Sequence, residues 1–98
     1  MSETKTFEIL EEVKKIQGIN HAEFDSTITT LIDSAVIDLK SVGIVDTLLT
    51  NPDNLLKTAI ITYVLSFLDV SNANLYSNSY ALQKDGLRHT TEYIKKGD

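Results

Sequence analysis

His89 and Glu92 stand near the end of the chain at a spacing that would put both on one face of a helix, a turn apart, where they could share a metal ion. Di-iron bundles need Glu-x-x-His twice plus two further glutamates, so a solvated histidine beside an acid is the plainer reading. His21-Ala22-Glu23 has the histidine and glutamate order of the zinc deaminases, but those enzymes also need a cysteine pair, and the chain has no cysteine. Nucleophilic catalysis requires a serine, threonine or cysteine next to an oriented base, and no Gly-x-Ser-x-Gly elbow is present. The four glycines (Gly18, Gly43, Gly86, Gly97) are isolated, which excludes a P-loop or a dinucleotide turn. The acidic pairs, Glu11 with Glu12 and Asp33 with Asp38, fall on polar helix faces and read as solvated surface. No catalytic residue, metal ligand or cofactor is expected.

Bulk properties narrow the class further. Ninety-eight residues with 42% hydrophobic and 23% charged side chains predict a single globular domain, with a core from about 6 to 95 and frayed ends at Met1 to Lys5 and Lys96 to Asp98. Nine basic residues against fourteen acidic ones leave a net charge of −5. A protein that grips duplex DNA through its phosphates needs clustered lysine and arginine. Here the only dense basic spots, Lys14-Lys15 and Lys95-Lys96, are short, so tight DNA binding is disfavoured and passive contact remains open. The start Met-Ser-Glu-Thr-Lys lacks the basic and apolar runs of a secretory signal. The longest apolar stretch, around Ala59 to Leu68, is too short to cross a bilayer, so neither export nor a membrane partner is expected.

The periodicity predicts an all-α fold, a small bundle of about four helices: a short N-terminal helix, two longer core helices and a C-terminal helix. The first runs from about Phe7 to Ile16, with Ile9, Leu10, Val13 and Ile16 on one face, Thr6 as cap and Gly18 as stop. The second runs from about Asp25 to Val42. Asp25 or Ser26 caps it, Ile28, Leu31, Ile32, Ala35, Val36, Leu39 and Val42 lie in one arc, and Gly43 ends it. The third starts at Asn51-Pro52-Asp53, read as N-cap, first-turn proline and acid, and reaches about Asp69. It is apolar nearly all round: Leu55, Leu56, Ala59, Ile60, Tyr63 and Phe67 make one face, Ile61, Leu65 and Leu68 a second. Thr58, Thr62, Ser66 and Asp69 leave only a narrow polar strip. Such a helix is either the central element or meets another subunit. Val70 to Asn78 reads as loop, and the last helix spans about Tyr76 or Ser77 to Lys95, with Gly86 marking a bend or close packing.

Tyr63 and Tyr80 sit on core stripes. Ile37, Ile61, Leu65, Leu68, Leu82 and Tyr93 are more apolar surface than one small domain readily buries, and uncovered apolar patches mark association sites. These six are the candidate protein-interface residues. The residues therefore point to self-assembly or partner binding and away from turnover.

The order of these phrases resembles the small head–tail connector, or DNA-packaging, proteins of tailed bacteriophages and prophages. The opening helix Phe7 to Ile16, the link Ile19-Asn20-His21-Ala22-Glu23-Phe24-Asp25, and the helix Leu31 to Ile44 with its stop at Gly43 match in sequence. So do the phrase Ala59-Ile60-Ile61-Thr62-Tyr63-Val64 in a proline-started helix and the closing run Ser79-Tyr80-Ala81-Leu82-Gln83-Lys84 through Leu87 to Tyr93. Leu65-Ser66-Phe67-Leu68-Asp69 departs from the pattern, because related sequences often break there with a small residue and an aromatic–glycine step. The resemblance implies a structural subunit without enzymatic activity, assembled in the bacterial host cytoplasm and found at the head–tail junction of the virion. There it forms a homo-oligomeric, dodecameric ring below the portal protein, extends the DNA channel with passive contact to packaged DNA, and offers a platform to a downstream head-completion or tail protein. The rival reading is a small helical regulator, antitoxin-like, that binds a single protein partner.

Overall fold

A computed structural model describes the backbone of residues 3–94 and the side chains of residues 6–94. The expected fraying of Met1, Ser2 and Lys96 to Asp98, and the expected end of the last helix at Lys95, lie outside these residues, whereas Glu3 to Lys5, also expected to fray, open the first helix. Five α-helices follow one another: α1 (Glu3–Gln17), α2 (Asp25–Ser41), α3 (Asp46–Thr50), α4 (Asn54–Leu68) and α5 (Ala73–Arg88). Two 3₁₀ turns, Val70–Asn72 and Thr91–Tyr93, complete the described chain. The expected all-α class holds.

Two glycines set the ends of α1 and α2. Gly18 has φ +70° and Gly43 φ +97°, the left-handed region that a side chain resists. Around Gly18, the Gly18 N–H donates to the Lys15 carbonyl and the Ile19 N–H to that of Lys14. Gly43 and Ile44 donate in the same way to Lys40 and Leu39. Both are Schellman caps, which satisfy the last carbonyls and turn an apolar residue, Ile19 or Ile44, back toward the core. Gly43→Ala is expected to cost about 1–2 kcal/mol, the left-handed penalty of a Cβ. The denaturant midpoint would then fall with the slope unchanged; an unaltered midpoint would refute the cap.

At their other ends the helices depart from expectation. Helix α1 begins at Glu3, so Thr6 lies inside it and does not cap it. At the start of α2 the N-cap is Phe24, without a side-chain cap. Asp25 is drawn instead to Lys14, 2.8 Å away, which ties α1 to α2. The cap of α4 is Asp53, whose carboxylate accepts the Leu56 N–H at 3.0 Å, while Asn51 closes α3. Helix α3 was not expected, because five residues with only Leu49 buried show no period.

Helix α4 is the central element. It packs against α1, α2 and α5 and buries Leu56, Ala59, Ile60, Thr62, Val64 and Leu65. Its threonine strip does not face water throughout: Thr62 is buried and donates to the Thr58 carbonyl at 2.7 Å, which satisfies the hydroxyl inside the core. Helix α2 contributes Ile28, Ile32, Ala35, Val36 and Leu39, as its arc predicted, and α1 contributes Ile9, Leu10 and Val13, whereas Ile16 is half exposed.

The segment from Val70 to Asn78 is largely helical. Asp69 accepts the Asn72 N–H at 3.2 Å, caps the 3₁₀ turn and lets α5 start at Ala73. The far end stops early. Thr90 Oγ1 donates to the Gly86 carbonyl at 2.8 Å and the His89 ring bonds the Asp85 carbonyl at 2.8 Å, so side chains take the carbonyls that a further turn would need. Gly86 lies within α5 and is not a packing point, since a Cβ there would meet nothing within 4 Å. After Arg88 the chain folds back: Val45 donates to the Tyr93 carbonyl at 3.0 Å, and Ile94 pairs with Ile44 in an isolated bridge. Among the described residues no single helix is long and apolar enough to cross a membrane.

Candidate subunit interface

The six residues singled out for association divide three ways. Ile37 on α2 and Leu82 on α5 are 67% and 76% exposed. Ile61 and Leu68 are half-buried against the core. Leu65 and Tyr93, at 4% and 6% exposure, lie largely inside it. The Ile61–Leu65–Leu68 stripe is thus not a free second face: α4 is covered by three helices and its stripe joins the common core. Tyr93 is inside because the last helix ends at Arg88 and the following turn brings its hydroxyl to Asp53 Oδ2, 2.6 Å away.

Other apolar side chains are uncovered. Phe7, Leu55, Phe67 and Leu75 are more than half exposed, and Val70 is 84% exposed. Phe7 precedes the Ile9–Leu10–Val13 stripe and points off it. Leu55 and Phe67 stand on the α4 stripe but near its two ends, where 63% and 58% of each remains exposed. Val70 and Leu75 were hidden in a segment rich in serine and asparagine.

Two of them, Phe7 and Leu55, line grooves. The larger, about 930 Å³, runs between α1 and α4, with Phe7, Ile9, Ile19 and Ile61 as its apolar part and Glu8, Glu11, Glu12, Lys14, Lys15 and Lys57 as charged lining. A second, about 400 Å³, lies between α4 and the C-terminal half of α5, lined by Leu55, Leu82, Leu87 and Tyr93 and by one charged residue, Glu92. Thr58 lines both, so the two grooves flank the first turns of α4 and form one continuous face. Of the six, Ile61 lines the first groove and Leu82 and the largely buried Tyr93 line the second, whereas Phe7 and Leu55 were not among them.

Polar side chains tie the helices together. Asp38 accepts from the Tyr80 hydroxyl at 2.5 Å and from Lys84 at 3.0 Å, which joins α2 to α5; it is not the freely solvated acid its polar face implied. Tyr80 also meets Tyr63 edge-on at 5.1 Å, and Tyr63 meets Phe67 at 5.1 Å. Partial burial works against the Asp38 charge, but the bonds from Tyr80 and Lys84 outweigh it and hold the carboxyl below its usual range. Asp53 is likewise lowered, its burial outweighed by the bonds from Tyr93, Leu56 and Leu55. The Asn72 amide lowers Asp69, with help from Gln17. Burial and Asp38 raise Tyr80, while the bond to Asp53, together with burial, pushes Tyr93 up to about 12.

A carboxyl with a lowered folded value stabilises the protein above the unfolded value of about 4 and loses that contribution as the pH falls. A tyrosine with a raised folded value stabilises it below about pH 10 and loses that contribution above. The urea midpoint should therefore be flat near neutrality and drop on both the acid and the alkaline side. Rising stability into acid would contradict these bonds.

The histidine–acid pairs weighed and set aside on sequence grounds lie as follows. Helix α5 ends before Glu92, which lies in the separate turn Thr91–Tyr93, and His21 is exposed beside Glu23 at 3.7 Å. Among the described residues no three histidine or acidic side chains come together as a metal site.

Fold and surface define a small all-α domain with uncovered apolar grooves along one face. Its sequence matches the family model for the phage connector protein over residues 9–94, nearly the whole chain, and the chain belongs to that family. The family is structural and not enzymatic, and membership implies association with other phage structural proteins at the head–tail junction of the virion. No curated protein and no solved structure matches the chain.

Proposed function

We propose that this chain is a head–tail connector subunit: copies of it form a ring below the portal of a tailed phage or prophage, extend the DNA channel and join head to tail. Family membership over residues 9–94 carries the reading. The surface supports it. Uncovered apolar residues gather in the grooves beside the start of α4 and, separately, at the corner between α4 and α5. Two unlike patches on one chain favour head-to-tail contacts, which close into rings when the rotation allows, whereas a two-fold dimer needs one self-complementary patch. The net charge of −5 suits a channel wall past which DNA slides without being gripped. The portal protein above and a head-completion or tail protein below are the partners, and assembly takes place in the bacterial host cytoplasm.

Electron microscopy of the protein mixed with its cognate portal tests this reading. A layer of added density around the portal's exit is expected. Portal particles unchanged at saturating protein would overturn it.

A further inference from the structure

We infer that the α4–α5 corner of one copy seats in the α4–α5 groove of the next, a contact that rests on the connector reading above. The corner runs from Phe67 to Leu75 and projects Phe67, Val70 and Leu75, all more than half exposed, with Val70 at 84% the most exposed large apolar side chain of the described residues. The groove lies at the opposite end of the same helix pair, between Leu55 of α4 and Leu82 and Leu87 of α5. Along α4, the path from Leu55 to Val70 is roughly 22 Å at the helical rise. A corner therefore cannot reach its own groove, and only a second copy brings them together.

Two features match the two surfaces. The first is room: a cavity of about 150 Å³ holds a benzene-sized group. The groove's volume of about 400 Å³ therefore accommodates branched side chains such as Val70 and Leu75. The second is charge. Each copy carries −5, so two copies repel as wholes and approach best through uncharged surface. The groove lining has one charged residue, Glu92, and the corner has one, Asp69, already engaged by Gln17 and Asn72. The larger groove between α1 and α4, with six charged residues in its lining, is a poorer match.

The chain has no cysteine, so introduced thiols report contacts without background. Val70→Cys marks the corner and Leu82→Cys the groove. Both positions are exposed, so the variants fold, which circular dichroism verifies. Assembled on the portal and treated with a short thiol-specific crosslinker, a mixture of the two variants should give a crosslinked dimer that neither gives alone. The double variant should give a ladder of higher species. Assemblies visible by electron microscopy but free of crosslinks between these positions would overturn the contact and leave the connector reading standing. Val70→Cys crosslinking to itself as well as the mixture does would also overturn it. If the unmodified protein adds nothing to the portal, the connector reading falls, and this contact falls with it.

Discussion

Leu82→Asp is expected to leave the folded subunit intact and abolish its assembly. The side chain is 76% exposed, so its replacement changes subunit stability by no more than about 0.5 kcal/mol, the range for surface substitutions. In the groove the same change places a carboxylate where another copy would bury apolar surface. Loss of a central apolar anchor costs about 2 kcal/mol or more, and an unpaired buried charge adds to it, so association should weaken by about a hundredfold. Thermal melting of the isolated protein, compared with portal binding at matched concentrations, separates the two effects. A variant that melts normally and still assembles would remove the groove from the interface.

Leu65→Ala is expected to do the reverse. Leu65 is 4% exposed in the core around α4, and truncating a buried leucine costs about 2–5 kcal/mol through lost burial and the cavity left behind. Small domains have only about 5–15 kcal/mol in total, so a melting point lower by about 10 °C or more follows. Whatever assembly remains should track the folded fraction alone. If Leu65→Ala melted like the parent and failed to assemble, the burial of the α4 stripe would be wrong.

The opposite fates of Leu82 and Leu65 show what the sequence could tell. Its punctuation was legible: Gly18 and Gly43 stop α1 and α2 through their left-handed backbone, and the seven-residue arc of α2 faces inward. The nearly uniform apolarity of α4 announced either a central helix or an interface, and the fold decides for the centre. Periodicity measures which residues share a face; it does not say how many neighbours cover that face. Leu65 and Tyr93 looked like surplus for that reason.

Local polar contacts were harder to read. Asp69 converts a serine- and asparagine-rich stretch into the start of α5, and His89 and Thr90 end that helix by competing for its carbonyls. Asp53 serves as cap and as anchor for Tyr93, a pairing forty residues apart that no local pattern encodes. The exposed corner at Val70 and Leu75 follows from the same contacts, so it was missed together with them. No polar signature marks a surface of this kind, and the grooves emerge only when α4 is set between α1 and α5.

The most direct test of the account is the copy number of this chain on its portal, measured by native mass spectrometry of the purified complex. The account predicts a full ring, one copy for each portal subunit, at saturation. A single copy, or one compact dimer bound to a lone partner protein, would contradict it.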